Sequence, residues 1–481
     1  MKRLIATLIA AAALIACLAL AGCADSGDNG KTNDGPAVDV VTKGGSDYVI
    51  VRSENVSASE RTLIADFRNE IRMTTTATVD LISDTEAIPE GKYAFYIGDS
   101  SLEAASRALS GVGENSFRFL MKDKTLIIAT NNAECMKLAL NTFKSEYLTS
   151  EGIKVPASLD RTWQCEKEIT TREVTNPINP GGNDPDVVYH DGYYYYCWSA
   201  GTGVMVSRAE SLDKISSERG NRVYSAPSDT MYSGEYWAPE LHYIQGEWYI
   251  YVAADNGQDV NHRMYVLKGK TQDPTKSFEF VGQITDPSNK WAIDGTVVTI
   301  KDELYFVWSG WNGDNDGGNQ RIYIAHMSDP CTIDSNRVQL SAHENSWEGG
   351  VNEGPYGVEI DGVTYIIYSA NGSWADDYCL AYLKLEPGAD PLKARSWTKS
   401  ISPILSKSKV AYGPGHASIV KLDDGSYWMV YHANLESGTG WNGRSVWIQP
   451  LTFKANGDIK PQTPKKTVDF PVVKWVVKGE V

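Results

Sequence analysis

One short pattern occurs five times after residue 180, and it limits the available folds more than any other feature. Its clearest copy consists of Val351–Ile360, the pair Asp361–Gly362 and the β-prone run Val363–Ser369. Asp-Gly tolerates the positive φ angles of a tight turn, so the pattern predicts two antiparallel strands joined as a hairpin. The first strands of the five copies begin, at intervals of 55 to 63 residues, at Asp184, Pro239, Asp294, Glu353 and His416.

A third β-prone run follows the hairpin in every copy. These runs are Gly203–Ser207, Arg263–Leu267, Arg321–Ala325, Cys379–Leu383 and Ser445–Gln449. Five copies of a multi-stranded unit at this period predict a five-bladed β-propeller, in which each small sheet buries its faces only against its neighbours. We therefore expect a mainly β protein, with a linker over 161–182, the propeller over 183–465 and a C-terminal segment over 466–481.

The charge of the chain excludes one class of partner. The formal net charge is −16 over 481 residues. A nucleic-acid-binding protein needs a basic surface to neutralise phosphates, and a chain this acidic lacks the charge balance for it. The partner is therefore expected to be neutral or cationic.

The N-terminus predicts export. Met1–Arg3 is basic, Leu4–Ala21 is apolar, and the run ends in Leu20–Cys23. That ending resembles the lipobox of bacterial lipoprotein signal peptides, which implies removal of the leader and lipidation of Cys23. Residues 24–46 then predict a flexible tether. An uncleaved membrane anchor is the alternative, and either arrangement predicts an extracytoplasmic protein held at a bacterial membrane.

Five cysteines follow the leader: Cys135, Cys165, Cys197, Cys331 and Cys379. Their number is odd, their spacing is wide, and no two of them form a C-x-x-C pair. This pattern argues against a zinc site or a disulfide framework. We expect most of them to be small buried apolar residues.

Residues 47–160 alternate β-prone runs with amphipathic helices and predict a small α+β domain. Ser57–Glu60 matches a capping box, and Ala133–Tyr147 predicts a second long helix. The element order and the stretch Tyr96–Asp99 resemble the accessory domain that precedes the catalytic domain in family 20 hexosaminidases and some glucuronidases. No catalytic set is evident in this domain, so a spacer or docking role is expected.

The starts of the five inner strands meet at one mouth of a propeller, although they lie far apart in sequence. The residues at that position are Asp184, Glu240, Asp294, Glu353 and His416. Gathered carboxylates repel one another and raise one another's pKa, so the cluster predicts a functional site. Taken singly, Asp184 and Asp294 are also common turn-formers, and His416 also fits a hydrogen-bonded structural role.

Two carboxyl groups across a pocket, one protonated and one ionised, are the machinery of glycoside hydrolysis. Asp184 in blade 1 and Glu353 in blade 4 are not in neighbouring blades, so we expect room for a water between them and inversion of configuration. Asp294, in blade 3, lies next to blade 4 and is expected to keep Glu353 protonated by like-charge repulsion. Trp237 and Tyr412 offer flat faces for sugar rings, and Glu240 is also expected to contact the substrate.

Five motifs in order resemble the blade signatures of glycoside hydrolase family 43: Asn183–Pro185, Tyr236–Glu240, Ala292–Gly295, Val351–Pro355 and Gly413–His416. The resemblance runs from about Asn176 to Pro461. It implies hydrolysis of arabinose- and xylose-containing polysaccharides by inversion, with Asp184 as general base, Glu353 as general acid and Asp294 as the residue that tunes the acid. It also implies that Trp237 lines a sugar subsite, that Arg444 contacts substrate, and that His416 lies near a calcium or sodium ion.

Within that family the motifs are most similar to exo-acting α-L-arabinofuranosidases. The resemblance implies release of L-arabinose from arabinan or arabinoxylan side chains, with no cofactor required for the chemistry. An endo-arabinanase, a β-xylosidase and a non-catalytic carbohydrate-binding propeller are the alternatives. The loops 311–318 and 341–350 carry Trp311 and Trp347, which we expect in the walls of the site.

Overall fold

The computed structural model describes residues 36–481. The expected leader over 1–23, with Cys23, lies outside them. Within residues 36–481 none of the helices has the length and apolar character needed to cross a bilayer. The expected tether over 24–46 is wrong at its end, because Ala37–Thr42 form a strand that pairs with Gly152–Pro156 and buries Val40 and Val41.

An α+β domain precedes the propeller, as predicted. Its helices are α1 (Ala58–Thr75), α2 (Glu103–Ala108) and α3 (Ala133–Tyr147). The capping box starts α1: the Ser57 hydroxyl accepts the Glu60 backbone N–H, and the Glu60 carboxylate accepts the Ser57 N–H. Helices α1 and α3 cover one face of the sheet with the main apolar core, and α2 covers the other face.

The sheet of this domain has seven strands. Their order is Asp80–Ser83, Tyr48–Arg52, Tyr93–Gly98, Thr125–Thr130, Ser116–Lys122, Asp160–Thr175 and Thr467–Glu480. The first four are parallel to one another and the last three pair antiparallel. A separate small sheet joins Ala37–Thr42, Gly152–Pro156 and Leu148–Thr149.

The expected linker over 161–182 is largely wrong. Asp160–Thr175, which we call the bridging strand, enters the sheet and buries Trp163 and Cys165 in the core. Within the expected C-terminal segment over 466–481, the strand Thr467–Glu480 pairs along nearly the whole bridging strand. The propeller is thus inserted between two adjacent strands of the first domain. These two strands pair with each other, so neither of them is a solvent-exposed linker.

Five small sheets form the propeller, and each has its first strand innermost. The strands of blade 1 are Asp186–His190, Tyr193–Ser199, Gly203–Ala209 and Asn221–Ser225, and those of blade 2 are Gly234–Ile244, Glu247–Asp255, Arg263–Gly269 and Phe278–Ile284. The strands of blade 3 are Ala292–Ile300, Glu303–Gly310, Arg321–Asp329, Thr332–Ile333 and Val338–Ser341. The strands of blade 4 are Asn352–Ile360, Val363–Ala370, Cys379–Leu385 and Trp397–Lys399, and those of blade 5 are Tyr412–Lys421, Tyr427–Asn434 and Arg444–Pro450. The prediction of five blades, each with three core strands, is confirmed.

The inner hairpins of blades 1, 2 and 4 turn at a residue followed by glycine, as the pattern predicts. In blades 1 to 4 both residues of each two-residue turn have positive φ, and these pairs are Asp191–Gly192, Gln245–Gly246, Lys301–Asp302 and Asp361–Gly362. Turns of this kind match the right-handed twist of the flanking strands. The position of each of these turns is therefore set by local sequence.

The inner strands of neighbouring blades contact one another around the ring, including blade 5 against blade 1. At that closure the Val187 N–H donates to the Ser418 hydroxyl (3.1 Å), which donates to the Pro185 carbonyl (3.1 Å). One apolar cluster there also contains Val174 of the bridging strand and Phe470 of the C-terminal strand. The first domain therefore packs where the ring closes.

Candidate active site

Irregular backbone at the starts of the inner strands turns the expected site residues toward the axis. Asp184, Asp294 and His416 have φ angles of 46°, 54° and 49°. The pairing register shifts in the inner strands of blades 2 to 5, beside these positions. Bulges of this kind re-aim side chains and are frequent next to active sites.

The structure brings six of the expected residues to one pocket of about 510 Å³: Asp184, Trp237, Asp294, Glu353, His416 and Arg444. Trp311, expected in a wall, lines it as well. Trp347 does not; it packs against the apolar core between blades 3 and 4. The volume of the pocket lies in the range typical of small-molecule binding sites.

Positive charge surrounds Asp184. Its Oδ1 lies 3.2 Å from His416 Nδ1 and 3.4 Å from Arg444 Nη1, and its Oδ2 accepts the Asn183 side-chain N–H at 2.7 Å. Burial acts to raise the pKa of Asp184, but the charges of His416 and Arg444 outweigh it and hold the pKa well below its usual range. Asp184 is therefore ionised at neutral pH.

Two histidines beside Asp184 take opposite protonation states. Burial lowers the pKa of His416, but the charges of Asp184 and Asp294 outweigh burial and raise it to about 9. Burial and the charge of Arg444 lower the pKa of His432 to about 4. His432 Nδ1 accepts the Asp184 backbone N–H at 3.1 Å, as a neutral ring can, so its 3.3 Å approach to Asp184 Oδ1 is not an ion pair. His416 is the cation.

Glu353 lies in the opposite environment. Burial and the charge of Asp294 raise the pKa of Glu353 to about 7, although a hydrogen bond from the Tyr378 hydroxyl to Glu353 Oε1 (2.9 Å) lowers it. Burial, with a contribution from the charge of Asp184, also raises the pKa of Asp294. Asp294 Oδ2 accepts the Gly354 N–H at 2.9 Å, which holds it beside Glu353. The pocket thus pairs an ionised carboxylate with a protonated carboxylic acid below about pH 7.

Gly354 is required where blades 4 and 5 approach. Its φ is 53°, and a Cβ there would lie 3.1 Å from the ring of His416. A larger residue would have to push away the cation that faces Asp184. The Asn-Glu-Gly-Pro motif therefore supplies the acid of blade 4 and leaves room for His416 of blade 5.

Two expected substrate contacts lie outside the pocket. Glu240 is buried, lies 3.0 Å from His242 Nε2, and faces a narrow cavity beneath the pocket. The register shifts on both sides of Trp237 bring that indole to the pocket and leave Glu240 below it, so the expectation for Glu240 is corrected. Tyr412, half-buried at the start of the inner strand of blade 5, is not among the pocket-lining residues.

Stacked rings line the side of the pocket formed by blades 2 and 3. Trp237 stacks on the buried ring of His262 at 3.9 Å, and Trp291 stacks on Trp311 at 4.6 Å. The Trp291 indole N–H donates to the Asp259 carbonyl at 2.8 Å. Rings held this way lose little entropy when a ligand packs against them, so this wall is rigid and apolar.

Several residues of the site carry no signal at the strand starts and were not predicted. Tyr378, which bonds Glu353, lies in a loop between strands of blade 4, and His432 lies on the second strand of blade 5. Trp374 and Trp441 also line the pocket. None of them occupies the start of an inner strand, the position at which the five blades were compared. One available signal was Gly415, whose missing side chain leaves room for the Tyr378 ring, since a Cβ there would lie 2.1 Å from it.

Comparison with known proteins agrees with this geometry. Residues 174–459 match the family model described as "Glycosyl hydrolases family 43". A solved α-L-arabinofuranosidase from Lactobacillus brevis superposes with a TM-score of 0.57 at 32% identity, covering 60% of this chain and 97% of that one.

Two relatives come from Streptomyces, and both carry the name extracellular exo-α-(1→5)-L-arabinofuranosidase. The S. avermitilis protein is 35% identical over 54% of this chain and 56% of its own length. The S. chartreusis protein is 30% identical over 54% of this chain and 81% of its own length. The present chain thus aligns with little more than half of the S. avermitilis protein.

Proposed function

Because the chain belongs to glycosyl hydrolase family 43, we propose that it is an exo-acting α-L-arabinofuranosidase that releases L-arabinose from arabinan or arabinoxylan side chains. The observation that carries the proposal is the pair of carboxyl groups in one pocket, Asp184 ionised and Glu353 protonated. The names of the Streptomyces and Lactobacillus relatives support the sugar.

The reaction is a single displacement. Asp184 takes a proton from a water molecule as the water oxygen bonds to the anomeric carbon. The bond from that carbon to the leaving oxygen breaks, and Glu353 gives its proton to the leaving oxygen. The product has the inverted configuration, Asp184 ends protonated, and Glu353 ends ionised. Proton exchange with water then restores both groups.

Asp294 and Arg444 support these two groups. The charge of Asp294 raises the pKa of Glu353, which keeps the acid loaded near neutral pH. Arg444 Nη1 lies 3.4 Å from Asp184 Oδ1, and its Nε–H is buried without a partner among the described residues. An unpaired buried donor in the pocket suits a sugar hydroxyl, so we assign Arg444 a substrate contact, and Trp237 a stacking contact.

The chemistry needs no cofactor, because side chains and water supply every proton. The expected cation near His416 is a separate, structural matter. Asp186, Glu240 and His416 line the narrow cavity beneath the pocket, and the buried Asp186 Oδ1 has no hydrogen-bond partner among the described residues. Carboxylate oxygens suit calcium or sodium, so Asp186 and Glu240 would hold the ion near His416, and its charge would offset theirs; the protonated ring of His416 has no free nitrogen to bind it. A calcium-dependent rise in melting temperature, absent in Asp186→Asn, is the expected sign of binding.

We propose that the protein works outside the cytoplasm, held to the bacterial membrane through a lipid on Cys23, and that its α+β domain serves as a spacer or docking module. The lipobox-like Leu20–Cys23 and the extracellular relatives support this. Export with membrane retention in the producing cell, and loss of retention in Cys23→Ala, are the expected results. Retention of that variant would favour an uncleaved anchor.

The first experiment measures hydrolysis of aryl α-L-arabinofuranoside and aryl β-D-xylopyranoside, with NMR of the first product anomer. Turnover of the arabinoside with inversion, lost in Asp184→Asn, is the expected outcome. Turnover of the xyloside would make the chain a β-xylosidase. Inactivity on both with internal cleavage of linear arabinan would make it an endo-arabinanase. Inactivity on every substrate, with retained sugar binding, would favour a non-catalytic propeller.

A further inference from the structure

Two tryptophans at the mouth of the pocket face solvent. Trp374 is 56% exposed and Trp441 is 62% exposed, and both line the pocket. Their ring centroids are 5.8 Å apart and their planes meet at 79°. Among the described residues they are the tryptophans with more than half of their surface in water. Large apolar surface gathered at a pocket mouth indicates a binding role.

The loops that carry these rings are fixed to each other. Trp374 lies between the second and third strands of blade 4, and Trp441 between those of blade 5. Asp376 accepts the Gly438 N–H at 2.9 Å and the Ser437 hydroxyl, and the Trp441 indole N–H donates to the Ser373 hydroxyl at 3.1 Å. Gly372 leaves the space beside the Trp374 ring, where a Cβ would approach to 2.6 Å. The two rings are therefore held in place before a ligand arrives, which reduces the entropy lost on binding.

The position of the general acid shows which part of a substrate would reach these rings. Asn352, the neighbour of Glu353, pairs with Ala370, and Trp374 follows four residues later. An acid that protonates the leaving oxygen must lie on the side of the leaving group. Another wall of the pocket, formed by Trp237 and Trp291 with the ring stacked behind each, belongs to blades 2 and 3. The leaving sugar thus extends toward blade 4, whose loop carries Trp374 and is hydrogen-bonded to the loop that carries Trp441.

We propose that Trp374 and Trp441 form a platform that binds the leaving part of the substrate, one or more neutral pentose rings of an arabinose-containing oligosaccharide. The inference rests on the proposed function, because it takes Glu353 as the acid. The pocket of about 510 Å³ has a volume typical of small-molecule sites, and both rings stand at its mouth, where the part of the substrate beyond the cleaved arabinose would emerge. The platform makes the enzyme select oligosaccharide chains over arabinosides with a small leaving group.

The test compares α-linked arabinotriose with α-L-arabinofuranosyl fluoride, whose leaving group has no ring to stack. The quantity measured is the ratio of the two kcat/KM values in Trp374→Ala, Trp441→Ala and the double variant. Each single change is expected to lower the ratio about two- to tenfold, as loss of one ring contact does, and the double variant by about the product. Trp374→Phe and Trp441→Phe keep an aromatic face and are expected to retain most of the ratio.

An unchanged ratio in the double variant overturns the platform. If the parent hydrolyses neither substrate, the proposed function fails, and calorimetry of arabinotriose binding then decides the platform separately. Tighter binding of arabinotriose by the parent than by the double variant supports the platform, and equal or absent binding overturns the platform. Both side chains are exposed, so the melting temperatures of the variants are expected to match that of the parent and to exclude a folding defect.

Discussion

Asp184 and Glu353 are both carboxylic acids in one pocket, but the blades around them differ in charge. On what we call the base side, Asp184 meets His416 and Arg444, and its pKa stays well below the usual range. On the acid side, Glu353 is buried beside the negative charge of Asp294, and both effects raise its pKa to about 7. The difference shows that the neighbours supplied by other blades, and not the carboxyl group itself, decide which group gives and which takes a proton.

The largest expected effect comes from removing the base. Asp184→Asn keeps the size of the side chain but cannot accept the proton of the attacking water. We expect kcat to fall by about 10²- to 10⁴-fold on every arabinoside, whatever its leaving group. Asp361→Asn, an exposed turn position with φ of 50° that Asn tolerates, is the matched control. Near-parent turnover by Asp184→Asn would remove the base assignment.

Removing the acid should discriminate between leaving groups. Glu353→Gln cannot protonate the leaving oxygen, so we expect a fall of about 10²- to 10⁴-fold for a poor leaving group such as an alkyl alcohol. A good leaving group such as 2,4-dinitrophenolate departs without a proton, and its hydrolysis should fall far less. Equal losses for both leaving groups would mean that Glu353 does not act as the acid.

Asp294→Asn changes the charge on the acid side while retaining an oxygen that accepts the Gly354 N–H. Glu353 acts when protonated, so kcat/KM falls as pH rises through its pKa of about 7. Removing the negative charge of Asp294 lowers that pKa, and the alkaline limb of the profile should move to lower pH. A limb that stays in place would show that Asp294 does not tune the acid.

Tyr378→Phe should move the same limb in the opposite direction and by less. Its hydroxyl donates to Glu353 and lowers the pKa of that acid, so its loss raises the pKa and extends activity to higher pH. Tyr368→Phe is the control, because Tyr368 also donates to a buried carboxylate in blade 4, that of Glu348, which is not among the residues lining the pocket. A shift common to both variants would indicate a general loss of packing in blade 4.

The fold was predictable where the signals are local. The two-residue turns and β-prone runs identified five blades, and the capping box at Ser57 identified the start of α1. The bridging strand was missed because its partner is Thr467–Glu480, nearly 300 residues away, and no local pattern reveals such a pairing. Glu240 was wrongly predicted to contact the substrate, because that prediction assumed that side chains alternate regularly along the strand. The register shifts beside Trp237 interrupt this alternation, and the sequence does not reveal them.

By itself, the sequence determined the number of blades and which acids stand at the starts of the inner strands, because turn chemistry and strand periodicity act between near neighbours. Only the tertiary structure decided how each acid is charged, since the groups that set the pKa of Asp184 come from blade 5 and the charge that raises the pKa of Glu353 comes from blade 3. It also decided that Tyr378 reaches Glu353 and that Trp374 meets Trp441. Electrostatic and aromatic contacts depend on distance in space, and the propeller brings together residues that lie far apart in the sequence.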